Sequence, residues 1–391
     1  MIVYLIPYVF ILMLVINSRN ISSKQATSFL AIFIIIIGSI CGFRDMLGGY
    51  DSYIYAEVFD ATADDIDRYI SPILTTAFRL NEKEQGYALF NVLIAFITGN
   101  RYIFLLIISI FIFTSIFIHV KRLSRNPLLS VFILFCMFYF FSFTYLRQVM
   151  AACIAWYAIP FAVKRKPIQF FLILILAVSF HNSAALFGLV YFIANQRFSK
   201  SQILLLIAIS TILGLTPIGT YLFKILGGSL NEMKTEKVIE HIVDTTRIEY
   251  ILEAGFFFFI IFLNYEKIAE DKLSTCMLNV ALLFMFVLTF FAKFSDGGRM
   301  SWFFLIGVAV TIAQIAENED NSPVFKFTTI FVVSVLYFRV LTSWGGLLMP
   351  YKSFLSNGVR PDDKTWAMYE YDHGYDTDKF YRPVFKNFED K

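Results

Sequence analysis

The sequence predicts an all-α fold, a polytopic transmembrane helix bundle of about twelve spanning helices plus a short re-entrant or interfacial helix, and three observations predict it. Composition is the first: of 391 residues, 58% are hydrophobic, 18% aromatic and only 16% charged, with a mean hydropathy of +0.67. That is well beyond the apolar share of soluble domains and short of their charge, so most of the chain has to be solvated by lipid. The second is recurrence: apolar runs follow one another from Met1 to about Leu348 with no polar domain between them. The third is that basic residues lie mostly in short loops between those runs, the charge asymmetry typical of membrane proteins. The simplest division is a polytopic membrane domain over 1–348, with outer loops at 44–85 and 219–249, and a polar C-terminal tail over 349–391.

A helix needs about 20 residues to cross the hydrocarbon core, with a lower limit of roughly 17. On that ruler the crossings fall at 1–16, 27–43, 102–119, 128–146, 147–163, 168–180, 182–195, 202–218, 250–264, 273–292, 300–316 and 324–343. The opening MIVYLIPYVFILMLVIN has no basic flank and no small-residue cleavage site, so it reads as a retained first helix. Four basic loops set the orientation: Arg19 with Lys24; Lys121, Arg122 and Arg125; Lys164, Arg165 and Lys166; and Arg197 with Lys200. All four are expected in the cytoplasm. The runs at 27–43 and 102–119 are then the outward and returning passes, which leaves GYALFNVLIAFITG at 86–99 surplus. At about 21 Å it is too short for the core, and a re-entrant or interfacial helix fits both its length and the charge count. The same rule demands two short passes between Lys166 and Arg197, with a turn at His181, Asn182 and Ser183 recessed below the outer surface.

Net charge is +3, too small to imply nucleic acid. Cys41, Cys136, Cys153 and Cys276 all lie inside apolar runs and read as small core residues. The sequence holds no His/Cys cluster, phosphate-cradling glycine loop, HExxH or GxSxG, so neither a metal nor another cofactor is expected.

Folded this way, Arg44, Asp45, Asp51, Glu84, Arg147, His181, Arg247, Asp296 and Arg299 all emerge on the extracytoplasmic side. Charged groups beside membrane helices are costly and mark a partner or a cavity. Arg147 stands at a hairpin tip with Gln148. It either snorkels or offers planar donors suited to phosphate oxygens. His181 interrupts two apolar runs and is either bonded to backbone or able to take a proton from a hydroxyl or hold a donor. The stretch FRDMLGGYDSYIYAEVF gathers Arg44, Asp45, Asp51, Tyr53 and Tyr55 around Gly48 and Gly49, either carboxylates and aromatics of a kind that grip sugars or a solvated loop of the same composition. SDGGRMSW sets Asp296 and Arg299 in a tight glycine turn, where they are either site residues or simple interfacial charge. Asp65 and Asp67 make a DxD pattern within an acidic run, where a solvated helix face is the plainer reading.

Several of these pieces together resemble the EpsG family of Wzy-like bacterial polysaccharide polymerases. The residues that carry the resemblance are FRDMLGGYDSYIY, EQGYALFN at 84–91, YLRQVMAACIAW at 145–156, FHNSAALFGLVY at 180–191, GRMSW at 298–302 and LMPYKSFL at 348–355. Where the family favours a GtD-like string, this chain reads GGYD. The resemblance implies a polymerase of the bacterial cytoplasmic membrane, joining undecaprenyl-diphosphate-linked oligosaccharide units into capsule, exopolysaccharide or O-antigen on the outer side. Its partners would be that lipid-linked substrate, membrane lipid, a chain-length regulator and other assembly proteins. Arg147, His181 and Asp51 are then the expected catalytic residues; Arg44, Asp45, Tyr55, Glu84, Gln148, Asp296 and Arg299 are the expected substrate contacts. A flippase or other transporter of lipid-linked oligosaccharide, and an O-antigen ligase using His241 and Arg247 in the 219–249 loop, are the competing readings.

Overall fold

A computed structural model of the chain describes residues 1–216, 246–294, 297–317 and 323–386. The described residues are helical throughout, with one isolated bridge between Arg44 and Ser353 and no strand. Among the described residues six helices are long and apolar enough to cross a membrane: Ser23–Gly42, Arg101–Leu123, Leu146–Val163, Lys272–Phe290, Gly297–Glu317 and Val324–Ser343. Five other expected crossings are shorter apolar helices, Ile2–Ile16, Pro127–Phe138, Pro167–Phe180, Asn182–Ile193 and Lys200–Leu215. The remaining one, Ile248–Leu263, spans 16 residues and carries Glu249 and Glu253. Length and composition therefore qualify six spans rather than twelve.

The basic loops gather at one end of the bundle. Lys326 donates to Val15 O and Ser18, Arg125 pairs with Asp271 at 2.9 Å, Arg197 donates to Tyr265 O and Ile268 O, and Lys200 pairs with Glu266 at 3.1 Å. The Pro167–Phe180 and Asn182–Ile193 hairpin runs from this end and back, exposing Ile168, Leu172, Ile175, Leu189 and Phe192. Its first arm has 14 residues, and its second begins with the seven-residue 3-10 stretch Asn182–Gly188. Each arm is about 21 Å long on standard rises, against about 30 Å of hydrocarbon.

The opposite end departs from the expected loop and tail. Residues 44–85 contain an 18-residue helix, Tyr50–Asp67, burying Tyr53, Ala56, Phe59, Ala63 and Ile66 on one face. The Gln85–Ile97 helix lies along the same end. Glu84 at its start bonds Arg147, while Ile97 O and Gly99 N at its finish bond Lys386 N and Pro383 O of the tail. Both ends of this helix therefore meet groups at the same end of the bundle.

Residues 349–386 fold back as a strap over this end. Arg101 forks onto Glu370 with bonds of 3.0 and 2.7 Å, its guanidinium 3.9 Å from the centre of the Tyr375 ring. Asp45 accepts from Tyr102 at 2.6 Å and pairs with Lys379 at 2.9 Å, and Arg382 and Lys386 bind Asp64 and Asp67. Burial pushes the Asp60 carboxyl up to about 6, opposed by Arg101 and Arg382, and Tyr371 donates to it. Arg101 and Glu370 have side chains 0% and 2% exposed, and removing one partner of such a pair costs about 3–5 kcal/mol. Arg101→Ala is therefore expected to free the strap, which limited trypsin treatment reads as cleavage after Lys364 and Lys379 under conditions that leave the parent intact.

Candidate active site

The site grows from a break in the helices. Between Pro127–Phe138 and Leu146–Trp156 the chain turns through 139–145, freeing backbone groups that need partners inside a membrane protein. The FRDMLGG segment supplies them. Arg44 is fully buried and donates to Leu47 O at 3.1 Å, Cys41 O at 2.5 Å and Phe143 O at 3.4 Å, while Ser52 also reaches Phe143 O at 3.1 Å. Gly48, at φ +119°, is held by Thr144 Oγ1, and a Cβ there would lie 2.2 Å from Phe143 O. Only glycine fits both the backbone angle and the approach.

With the break locked, the next helix opens with Leu146, Arg147 and Gln148 in its first turn. Asp51 stands in the first turn of Tyr50–Asp67, Arg299 near the start of Gly297–Glu317, and His181 caps Asn182–Gly188. These starts converge on a cleft of about 90 Å³ lined by Asp51, Ile54, Tyr55, Tyr145, Arg147, Gln148, His181 and Arg299. Helix N-termini carry partial positive charge, so the arginines sit in a field that favours an anion.

Each group is held. Arg147 donates to Glu84 at 2.5 Å and Asn81 at 3.2 Å, and lies 5.6 Å from the Tyr55 ring centre and 5.9 Å from that of Tyr87. Glu84 also accepts from Asn182 N at 3.3 Å, tying the arginine to the histidine turn. Arg299 donates from Nε to Gln148 at 3.2 Å, Gln148 returns a bond to Arg299 O at 2.7 Å, and the guanidinium lies 4.1 Å from the Tyr145 ring centre. Burial raises the pKa of the Tyr55 hydroxyl, opposed by Arg147, so it stays a neutral donor. His181 Nδ1 accepts from Ser183 N at 3.3 Å, with the Ser183 hydroxyl at 2.6 Å. A backbone N–H can only donate, so Nδ1 is the bare nitrogen and the neutral ring carries its proton on Nε2.

Six of the residues singled out in the sequence thus line one cleft: Asp51, Tyr55, Arg147, Gln148, His181 and Arg299. Glu84 stands behind Arg147. Arg44 spends its donors on backbone carbonyls and Asp45 anchors the strap, so neither lines the cleft. Asp296, His241 and most of the 219–249 loop lie outside the described residues. The DxD pattern separates: Asp65 accepts from Thr76 N and Oγ1, and Asp67 pairs with Lys386. Residues two apart on a helix point away from each other, which keeps these carboxylates off a common ion. Sequence reading missed Tyr145 and Ile54. Tyr145 directly precedes the Leu-Arg-Gln turn, and Ile54 neighbours the i, i+4 pair Asp51 and Tyr55, so a helical reading of 50–67 would have found the latter.

A larger cavity of about 520 Å³ adjoins the cleft, sharing Tyr145 and Arg299 as lining. The sequence pattern of the EpsG family matches residues 27–353. The chain belongs to the EpsG family. This is a family of Wzy-like polysaccharide polymerases, and it agrees with the apolar helices in making the chain a membrane protein of polysaccharide biosynthesis. No curated protein and no solved structure matches the chain. The family match covers every cleft residue, while Ile2–Ile16 and the strap beyond residue 353 lie outside it.

Proposed function

We propose that this EpsG-family protein joins oligosaccharide repeat units carried on undecaprenyl diphosphate into a surface polysaccharide, at the outer face of the bacterial cytoplasmic membrane. The observation that carries the reading is the convergence of Arg147 and Arg299 with Asp51 and His181 on one cleft at the starts of their helices. Glycosyl transfer from a lipid diphosphate breaks the bond between the anomeric carbon and the phosphate oxygen as an acceptor hydroxyl oxygen bonds to that carbon. Negative charge grows on the departing diphosphate, and the acceptor hydroxyl must lose its proton. Preorganised donors aimed at developing charge are worth most in a dry site. Arg147, Arg299 and the Nε2–H of His181 supply those donors, and Asp51 accepts the proton. Arginine suits the work because its planar fork matches phosphate oxygens. The basic loops at the far end favour an outward cleft.

Deletion tests the reaction: a cell lacking the protein should carry single repeat units on its envelope, whereas full-length chains retained on undecaprenyl carrier would mean a ligase was lost. Orientation has its own test, because all four native cysteines are buried. Cysteine at exposed Tyr50 should react with an impermeant maleimide in intact cells, and cysteine at exposed Ser201 only after permeabilisation; the reverse pattern would overturn the outward placement. Glu84→Gln keeps the shape beside Arg147 and removes the charge that fixes it. We expect a roughly tenfold slower chain-length ladder from this variant, the scale of one charge-assisted hydrogen bond of about 1.5 kcal/mol, measured with purified protein and lipid-linked repeat units.

A further inference from the structure

The larger cavity beside the cleft carries charges that the reaction scheme leaves unused. One wall is the Ile248–Leu263 helix with Glu249, Tyr250 and Glu253; the facing wall is the Val324–Ser343 helix with Leu336, Arg339, Val340 and Ser343. Its floor is apolar, built of Cys136, Met137, Phe284, Leu288 and Leu305, and Trp302 stacks on Phe141 at 3.7 Å between ring centres. Arg339 continues the exposed stripe Val324, Phe327, Phe331 and Val335, so it stands where the cavity opens sideways toward lipid. Glu253 lines the same cavity from the opposite helix, and among the described residues no ion pair joins the two. A cation and a carboxylate on facing apolar helices are expensive unless a ligand or water uses them. Tyr145 and Arg299 line both spaces, so the cavity is a continuation of the cleft toward the bilayer.

We infer that this cavity is a lateral portal for a polyprenyl diphosphate, with Arg339 as the residue that captures its phosphate at the mouth and hands it to Arg299. This deepens the polymerase reading and rests on it for the direction of traffic. The cleft, about 90 Å³, is too small for an isoprenoid chain as well as a diphosphate and a sugar, so the chain must leave by a neighbouring route. The adjoining cavity is large, floored with aromatic and aliphatic groups, and opens between two helices. Its mouth offers one guanidinium, that of Arg339, to an anionic headgroup. The chemistry recognised is an anionic phosphate head on a long unsaturated chain.

The test uses the full-length protein in nanodiscs and measures binding of undecaprenyl diphosphate by native mass spectrometry, with inorganic pyrophosphate and phosphatidylglycerol as separate probes. Arg339→Leu should weaken undecaprenyl diphosphate binding about tenfold and raise KM for the lipid-linked donor by a similar factor, with kcat within twofold. Arg339→Lys should recover most of both. Leu336→Trp, which fills the cavity from its wall, should weaken the lipid probe and leave pyrophosphate unchanged. Unchanged lipid binding in Arg339→Leu and Leu336→Trp would overturn the portal, as would phosphatidylglycerol competing equally well at equal concentration. Retained, Arg339-dependent binding in a protein that makes no polymer would sink the polymerase reading and leave the portal standing.

Discussion

Replacing Arg147 by alanine is expected to cut polymer formation at least a hundredfold, the scale of losing one preorganised donor to developing charge, about 2.7–4 kcal/mol. The loss has two possible sources, because the same change orphans Glu84, now 2.5 Å from the guanidinium. The double variant Arg147→Ala/Glu84→Gln separates them. If a stranded carboxylate were the cause, neutralising it would restore the rate. If the arginine grips the diphosphate, the double variant stays as slow as the single one. Arg147→Lys keeps the charge but loses the planar fork suited to phosphate oxygens, and a loss of about tenfold is expected from the weaker, single-point contact. The measurement is the initial rate at which purified protein converts lipid-linked repeat units into a chain-length ladder. A normal ladder from Arg147→Ala would end the assignment.

His181→Ala is expected to have an effect of the same order, and the structure fixes which substitution should rescue it. The proton sits on Nε2 because Nδ1 accepts from Ser183 N. A glutamine amide presents N–H groups near the place of Nε2, whereas asparagine reaches only as far as Nδ1. His181→Gln should therefore retain activity within about tenfold of the parent and His181→Asn should not, one donor being worth about 2–3 orders of magnitude. The pH profile gives an independent reading. An imidazole that only donates keeps its Nε2–H when Nδ1 takes up a proton, so the parent and His181→Gln should share one pH profile. An imidazole acting as base predicts the opposite, a rate that falls as the ring takes up a proton and cannot be rescued by glutamine.

The helices were easy to read because lipid imposes one rule everywhere: an apolar run of sufficient length must close its own backbone hydrogen bonds. The Tyr50–Asp67 helix escaped notice for a related reason. Its buried side is built from Tyr53, Ala56, Phe59, Ala63 and Ile66, a modest stripe set among acidic residues, so composition suggested a loop where periodicity held a helix. The strap was unreadable from local pattern, since the partners of Glu370, Lys379 and Arg382 lie about 270 to 340 residues upstream. In the cleft, residue type and hairpin position identified Arg147, His181 and Asp51, but the same reasoning swept in Arg44. Sequence shows that an arginine stands at a helix end; whether it turns inward to mend broken backbone or outward to meet a ligand is decided by the 139–145 break, which local sequence does not announce.

The abbreviated arms on either side of His181 have a consequence for the surrounding lipid. Each falls roughly 9 Å short of the hydrocarbon thickness, and their outward surfaces are clad in Ile168, Leu172, Ile175, Leu189 and Phe192, which draw acyl chains down to cover them. On the proposed topology, with both arms crossing the bilayer, the leaflet would have to dimple there, lowering the plane of its polar heads toward the imidazole. Bilayers built from longer acyl chains would have to bend further to make the same dip, so turnover should slow as they thicken.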